Sequence, residues 1–463
     1  MAPVDLLISD ATVLTHTEGA APGYPDDPGA ARAVAHLLEH HDVGIADGAI
    51  AWVLPTGTAA PEEREGARVI DGRGRLAMPG LINCHTHSAM TMFRGSAEDV
   101  PVHSWFNDHI WPMEVNLTPH DVALGARLAI AEMLLAGVTT FCDHYFSMDE
   151  IAKEVSASGA RAVLAPTYFS SEGAAGLDRS AAFAAEWHGA ADGRITAMMG
   201  PHATYTVVDA DLERTARIAM ELGIRTHLHA AEGMFQTESS LEQRGVTPMQ
   251  VLQDTGLLEA GVLIAHGAGI TPDDVRWLAP VADRIGVAAC DKVYLKHAQQ
   301  STTPVRLLHD AGVPVGIGTD GPASGNTLSV LESMRTLSLV EKQKEADATW
   351  LTSAHALDLA TRQSALTAGL GDRIGALLPG RRADVVLVDL GRPHLQPLHD
   401  IAAALVLSVQ ESDVRTVLVD GRVVVDEGRL TTLDVQEAID GLTARIPQLR
   451  DRSHGRRIQD YAP

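Results

Sequence analysis

The sequence predicts an α/β fold: a (β/α)8 TIM barrel with a small composite β-sandwich domain formed by the N- and C-terminal segments. Three observations predict it. Eight short apolar runs recur between residues 76 and 320, each closing on a polar and often imidazole-bearing residue. Near-continuous apolar runs fit strands buried on both faces of a parallel sheet. The stretches between them carry helical periodicity, and eight such units over about 250 residues match a barrel in size. Outside them, both ends of the chain read as β-hairpins.

Residues 3–14 alternate as a strand does. A Gly/Pro/Asp-rich patch, 19–30, reads as an exposed loop, and 31–41 as a short helix. HDVGIADGAIAWVLP (41–55) reads as two strands around an Asp-Gly turn, and 67–80 as a further strand and turn. The barrel runs follow at 76–87, 137–144, 160–169, 194–202, 224–232, 261–269, 285–290 and 313–320. Between the first two, 119–136 has helical spacing, with Thr118 as N-cap and Gly137 just past the end. Helices are expected at 327–344 and 352–370, and strands within 374–390 and 414–430, the latter with an Asp-Gly hairpin signal. The expected domains are 1–75 and 371–435 for the β-sandwich, 76–370 for the barrel, and 436–463 for a C-terminal helix and tail.

Composition narrows the function. The chain has 463 residues, 45% of them apolar and 21% charged, an ordinary globular balance. Its formal net charge of −24 repels phosphate backbones and anionic membrane surfaces, so neither nucleic acid nor a membrane is an expected partner. No apolar run of membrane-spanning length and no signal-peptide pattern is present. The three cysteines, Cys84, Cys142 and Cys290, lie far apart and read as reduced thiols of a cytoplasmic protein. The compositional oddity is 21 histidines.

Several of them fall where a barrel carries its chemistry. His85 and His87 end the first barrel strand; alternate strand residues share a face, so both imidazoles can point into the mouth. His229 at the end of the fifth strand can add a third nitrogen, and Asp320, in GTDG at the end of the eighth, an oxygen. Three His and one Asp with an open position form a catalytic metal arrangement, not a closed structural one. Glu232 follows His229 by three residues, and His266 ends the sixth strand. Taken singly, HxH reads as surface or core histidine, TDG as a turn, and HLHAAE as a helix start with a solvated Glu. Their joint occurrence at strand ends favours the metal site. His227 is an alternative to His229 as ligand.

These residues carry a resemblance. MPGLINCHTHSAMTMFRGSAED, HLHAAE, IAHGAG, GIGTDGPASGN and PGRRADVVLVD together resemble the amidohydrolase superfamily, and within it the methylthioadenosine/S-adenosylhomocysteine deaminase and triazine hydrolase (chlorohydrolase) branch. The resemblance spans nearly the whole chain. It implies one divalent metal per chain, Zn2+, held by His85, His87, His229 and Asp320. It makes Glu232 a proton shuttle and His266 a group that polarises substrate or orients water. Glu114, in WPMEVNLT, matches a carboxylate that accepts hydrogen bonds from ribose hydroxyls. His202, in GPHATY, matches a histidine that contacts the nucleoside. Further copies of the chain, as a dimer or tetramer, are the expected protein partner.

The expected reaction is hydrolytic deamination of a 6-aminopurine nucleoside of the adenosine, S-adenosylhomocysteine or methylthioadenosine type. Water whose pKa a catalytic metal lowers to about 7 is the nucleophile. Asp320 takes a proton from it, Glu232 protonates a ring nitrogen, and ammonia leaves. Two departures bear on substrate. The stretch after strand seven is CDKVYLKHAQQS (290–301) where the branch has His-Asn-Pro-x-Ser-Asn, and an arginine expected after strand three is replaced by APTYFSS (165–171) with Pro166 and Tyr168. Lys292 and Lys296 read as solvated loop charges. One alternative is a hydrolase of a triazine-like or other free N-heterocycle, losing amine or chloride. A binuclear amidase is disfavoured because strand four ends Gly200-Pro201-His202, with no lysine to bridge two metals. A non-catalytic scaffold is disfavoured because no ligand is missing.

Overall fold

Eight parallel strands form the barrel in the computed structural model, which describes residues 3–16 and 35–462. They are β1 (Leu81–Thr86), β2 (Val138–Tyr145), β3 (Arg161–Tyr168), β4 (Ile195–Ala197, resumed at Gly200–Pro201), β5 (Thr226–Ala230), β6 (Val262–His266), β7 (Gly286–Ala289) and β8 (Val315–Ile317). Every residue of β1, β2 and β3 is buried, as a parallel sheet covered on both faces requires. β1 to β4 pair in order, as do β5 to β8. Bridges Met199–Thr226 and Ala203–His229 join the two halves on one side. On the other, the Asn83 amide donates to Thr319 Oγ1 (2.7 Å), and its carbonyl accepts from the Thr319 backbone N–H (3.1 Å). This side-chain pairing ties β1 to the end of β8 at the level of the site.

The helix after β1, α1 (Pro119–Leu135), starts as its sequence directs. Thr118 Oγ1 accepts from the Asp121 backbone N–H, and the Asp121 carboxylate accepts from the Thr118 N–H. Reciprocal capping of this kind is worth about 1 kcal/mol. Gly137 follows with φ +81°, a value that suits glycine and lets the chain turn into β2. The helical stretch after α2 (Val330–Glu345) is continuous but carries a π-helical turn, Leu359–Gln363, between Ser353–Asp358 and Ser364–Thr367.

The two chain ends merge in one nine-stranded sheet. Arg75–Pro79 pairs antiparallel with Val385–Asp389, joining strands from the N-terminal part to those from the C-terminal part. Strand alternation then serves two cores at once. Leu76, Met78, Val386 and Val388 pack with the barrel, whereas Ala77, Val385 and Leu387 pack inside the β-rich domain. Turns fall at Asp47-Gly48 and Asp420-Gly421, where Asp-Gly predicts them.

The helix expected at 31–41 is corrected: Ala35–Ala46 is a strand, while 19–30 and 31–34 lie outside the described residues. Val13–Leu38 and Thr15–His36 register pairs against Leu6–His16 outweigh the weak helix preference of AHLLEHH. The last helix, α3 (Gln436–Leu449), packs on α1. No helix among the described residues is long and apolar enough to cross a membrane.

Candidate active site

All the candidate side chains sit at the C-terminal ends of barrel strands or on the loops just beyond. His85 and His87, two apart on β1, lean into the mouth with ring centroids 4.8 Å apart, and His229 from β5 lies 4.9 and 5.2 Å from them. Asp320 Oδ1 is 3.4 Å from His85 Nε2 and 3.2 Å from His87 Nε2. Its other oxygen accepts from Ser324 Oγ at 2.6 Å. Asp320 holds φ +57° and His266 φ +74°, so the backbone is strained at two strand ends of one site. The following Gly321 is constrained by space: a Cβ there would lie 2.7 Å from Met90 Sδ and 3.2 Å from His87 Cβ.

The hydrogen bonds fix which nitrogens are free. His87 Nδ1 meets the His144 carbonyl at 2.6 Å, and His229 Nδ1 meets the His202 carbonyl at 2.8 Å. A carbonyl only accepts, so both Nδ1 atoms carry hydrogen, and in the neutral rings both Nε2 atoms present lone pairs. Those two Nε2 atoms face each other at 3.3 Å. His85 Nε2 is buried with no hydrogen-bond partner. Lone pairs converging beside a carboxylate are mutually repulsive unless a cation stands among them, so the donor set fits a divalent metal. The potential metal-holding groups among the described residues are His85/His87/Asp320, His85/His229/His266 and His87/His144/His229, all in this cluster.

His227 lies deeper. It is fully buried, and its Nε2 meets His85 Nδ1 at 3.0 Å, so it orients His85 from behind. Burial and neighbouring imidazoles hold His227, His229 and His144 well below the usual histidine range. Burial pulls His85 down too. Burial also lowers His87, but the bond to Asp320 wins and raises it. Asp320 is likewise penalised by burial, yet His85 and His87 hold it well below the carboxylate range.

The acids beside this cluster behave differently. Burial pushes Glu232 up to about 7, opposed by the hydrogen bond from Tyr205. Tyr205 Oη donates to its Oε1 at 3.1 Å. Burial also pushes Glu114 up to about 7, where Tyr145 Oη donates to it at 2.7 Å. Both carboxyls therefore change charge near neutrality. His266 is pulled down to about 3 by burial and keeps an unbonded buried Nδ1. His202 is similarly lowered to about 3; its Nδ1 is held by Thr206 Oγ1 at 2.8 Å, and Phe169 packs on its ring at 4.6 Å.

His87, Glu114, His202, His229, Glu232, His266 and Asp320 open onto one cavity. His85 lies beneath it. Sequence reasoning missed several of the cavity's residues. His144 at the end of β2 lines it, with Nδ1 on Thr167 Oγ1 (3.2 Å) and Nε2 buried and unbonded. The signal is present in the sequence: the apolar run 137–144 closes on an imidazole. Trp105, Phe106, Trp111, Phe146 and Phe169 add an aromatic wall.

The departures also resolve. Tyr168 bonds Thr215 and is absent from the cavity; Thr167 and Phe169 face it instead. Lys292 and Lys296 are corrected: they are not solvated charges. Lys292 Nζ is 2.6 Å from Glu332, and Lys296 Nζ is 2.7 Å from Glu98 and 2.6 Å from Asn326. These pairs bind the 290–301 segment to α2 and to the loops after β1 and β8. Cys290 is buried, and all three cysteines are free thiols. Val293, Tyr294, His297 and Gln299 of the same segment reach the cavity.

Comparison with known proteins follows the geometry. Residues 76–424 match the model of the amidohydrolase family. A 5-methylthioadenosine/S-adenosylhomocysteine deaminase of Pelotomaculum thermopropionicum is 40% identical over 450 residues, covering 97% of this chain and 99% of that protein. Among solved structures, an adenosine deaminase from Xanthomonas campestris with bound zinc superposes with a TM-score of 0.85 at 32% identity, covering 98% of this chain and 100% of that one. The zinc complex of atrazine chlorohydrolase from Arthrobacter aurescens superposes with a TM-score of 0.83 at 25% identity, covering 96% and 100%.

Proposed function

The chain belongs to the amidohydrolase family, and from that premise we propose that it is a zinc-dependent deaminase whose substrate is a 6-aminopurine nucleoside. Metal-dependent hydrolysis of a C–N bond in an aminated heterocycle is the reaction class of the chain. The observation that carries the nucleoside reading is that Glu232 and Glu114 line one cavity together with His87, His229 and Asp320.

His85, His87, His229 and Asp320 would hold the ion. Bound there, a divalent ion supplies Lewis acidity that makes water nucleophilic near neutral pH. The rest falls to the chain's own groups. Asp320, ionised and held by Ser324, receives the proton of the attacking water. Glu232, poised near 7, delivers a proton to a ring nitrogen and makes the adjacent carbon electrophilic. His266, neutral, orients water or polarises substrate. His202 contacts the base, and Glu114 accepts from the ribose hydroxyls. The amino group leaves as ammonia.

Ammonia release from adenosine, methylthioadenosine, S-adenosylhomocysteine, guanine, pterins and triazines tests the reading. Loss of the 2′- or 3′-hydroxyl should lower kcat/KM by orders of magnitude in wild type and far less in Glu114→Ala, because a buried acceptor is otherwise left unpaired. Equal activity on a free base and its nucleoside would overturn it. One observation favours a second reading, a free N-heterocycle losing amine or chloride: beside its His and acid groups the cavity has an aromatic wall, and no Lys or Arg lines it among the described residues. The same panel separates the two. We further infer a cytoplasmic homo-oligomer, a dimer or tetramer, which light scattering would test.

A further inference from the structure

The segment after α3 returns across the molecule to the wall of the cavity. Asn116 Nδ2 donates to the Asp451 carbonyl at 2.7 Å, and Arg452 Nη1 to the Asp108 carbonyl at 2.8 Å. Asn107 then grips the backbone of Tyr461 with both ends of its amide. Its Nδ2 donates to the Tyr461 carbonyl (3.1 Å), and its Oδ1 accepts from the Tyr461 N–H (2.9 Å). Tyr461 is 3% exposed, although it lies within three residues of the last position of the sequence.

The ring of Tyr461 lies against two residues that line the cavity and one that bonds Glu232. It stacks on Phe106 with centroids 4.2 Å apart and planes 13° apart, and meets Trp111 edge-on at 6.1 Å. Both of those line the cavity. It also meets Tyr205 at 5.7 Å, the residue that donates to Glu232. The segment it supports is irregular: Trp105–Ile110 forms a π-helical turn, a geometry that gives up normal helical bonding and needs support from outside. The Tyr461 hydroxyl is buried without a hydrogen-bond partner, so the backbone grip and the stacked ring hold this residue, not its hydroxyl.

We propose that Tyr461 is a positioning residue for substrate recognition: it fixes the Phe106–Trp111 wall against which the substrate packs. The recognition role rests on the nucleoside reading above; the positioning role does not. A stacked aromatic pair contributes about 0.5–1.5 kcal/mol beyond its buried area. Tyr461→Ala should therefore raise KM by about tenfold, the equivalent of 1.4 kcal/mol, with kcat changed much less because the metal cluster and Glu232 keep their own bonds. Tyr461→Phe keeps the stack and should restore wild-type KM. Amide hydrogen exchange across residues 101–116 should quicken in Tyr461→Ala and in a chain ending at Asp451, but not in Tyr461→Phe. Metal content should match wild type in all three, which shows that they fold. Unchanged KM in a folded Tyr461→Ala variant, unchanged exchange over 101–116, or no rescue by Phe would each overturn the proposal. A wild-type protein inactive on every nucleoside would instead sink the nucleoside reading, and the exchange experiment would still decide the positioning role.

Discussion

At the seam between the barrel and the β-rich domain, buried charge meets opposite charge. Arg161, at the start of β3, reaches Asp384 with two nitrogens at 2.8 and 3.0 Å and also bonds Asp420. Arg382 closes on Asp420 from the other side at 2.6 Å. At the barrel mouth the arrangement is the reverse. His85 Nε2, His144 Nε2, His266 Nδ1 and Gln236 Nε2 are buried with no partner, and two imidazole lone pairs confront each other. Buried polar groups are normally satisfied. The seam pairs its buried charges with opposite ones, although Arg161 Nη1 has no hydrogen-bond partner. The mouth breaks the rule because its partners, an ion and a substrate, come from outside. In barrels of this kind, residues at the strand C-termini serve chemistry, and those at the opposite end serve stability.

If that contrast holds, substitutions at the mouth should cost activity and leave stability alone. The largest effect is expected for Glu232→Gln, which preserves shape but cannot shuttle a proton. Turnover should fall by about 10²–10⁴-fold, with unchanged metal content and an unchanged thermal midpoint. Turnover within tenfold of wild type would remove Glu232 from the mechanism. His87→Ala is the companion test, since it deletes one of the facing lone pairs and a ligand. Elemental analysis should show about one zinc or other divalent ion per chain in wild type and a clear loss in the variant. Undiminished metal would break the assignment.

The converse test lies at the seam. Arg161→Met strands Asp384, 3% exposed, without its counter-charge. Removing one partner of a buried pair costs about 3–5 kcal/mol. The unfolding midpoint in urea should drop accordingly, while kcat/KM per folded molecule stays near wild type. A large activity loss in a stably folded Arg161→Met variant would mean that the two regions are coupled rather than separate.

The same contrast explains what could be read from sequence. The barrel strands were legible because apolar runs of strand length leave little choice, and the hairpins because Asp-Gly prescribes a turn. The strand at Ala35–Ala46 was not, because its conformation is set by a partner strand more than twenty residues away and not by AHLLEHH itself. The histidines and Asp320 were legible because strand ends in a barrel converge. Glu114 and His202 came only through family resemblance, since a carboxylate at the end of the short helix Trp111–Glu114 and a histidine after a broken strand carry no periodic signal. The pairing of Lys292 with Glu332 and of Lys296 with Glu98, and the reach of Tyr461 to Phe106, are contacts between segments far apart in sequence. Nothing local foretells them.

His16 stands outside the seam's charge pairing, and it sharpens the comparison with the smallest expected effect. His16, at the end of the first strand, is 2% exposed; neither ring nitrogen has a hydrogen-bond partner, and Asp358 is 3.4 Å from its Nε2. Arg362, bonded to Asp358 at 2.8 and 2.6 Å, has already claimed that carboxylate. Burial therefore wins: it lowers His16 to about 4 against the attraction of Asp358, with Arg362 and His36 adding to the fall. The unfolded chain binds a proton near pH 6.5 and the folded chain only near 4. Between those values the unfolded state carries more protons, so stability rises with pH across the window and is lost as pH falls through it. The full swing is about 3 kcal/mol at 1.36 kcal/mol per unit. His16→Gln removes the titration, and its unfolding midpoint should lose that slope between pH 4 and 6.5 while the wild type keeps it. An identical slope in both proteins would show that His16 finds a counter-charge after all, and it would then belong to the seam's charge pairing.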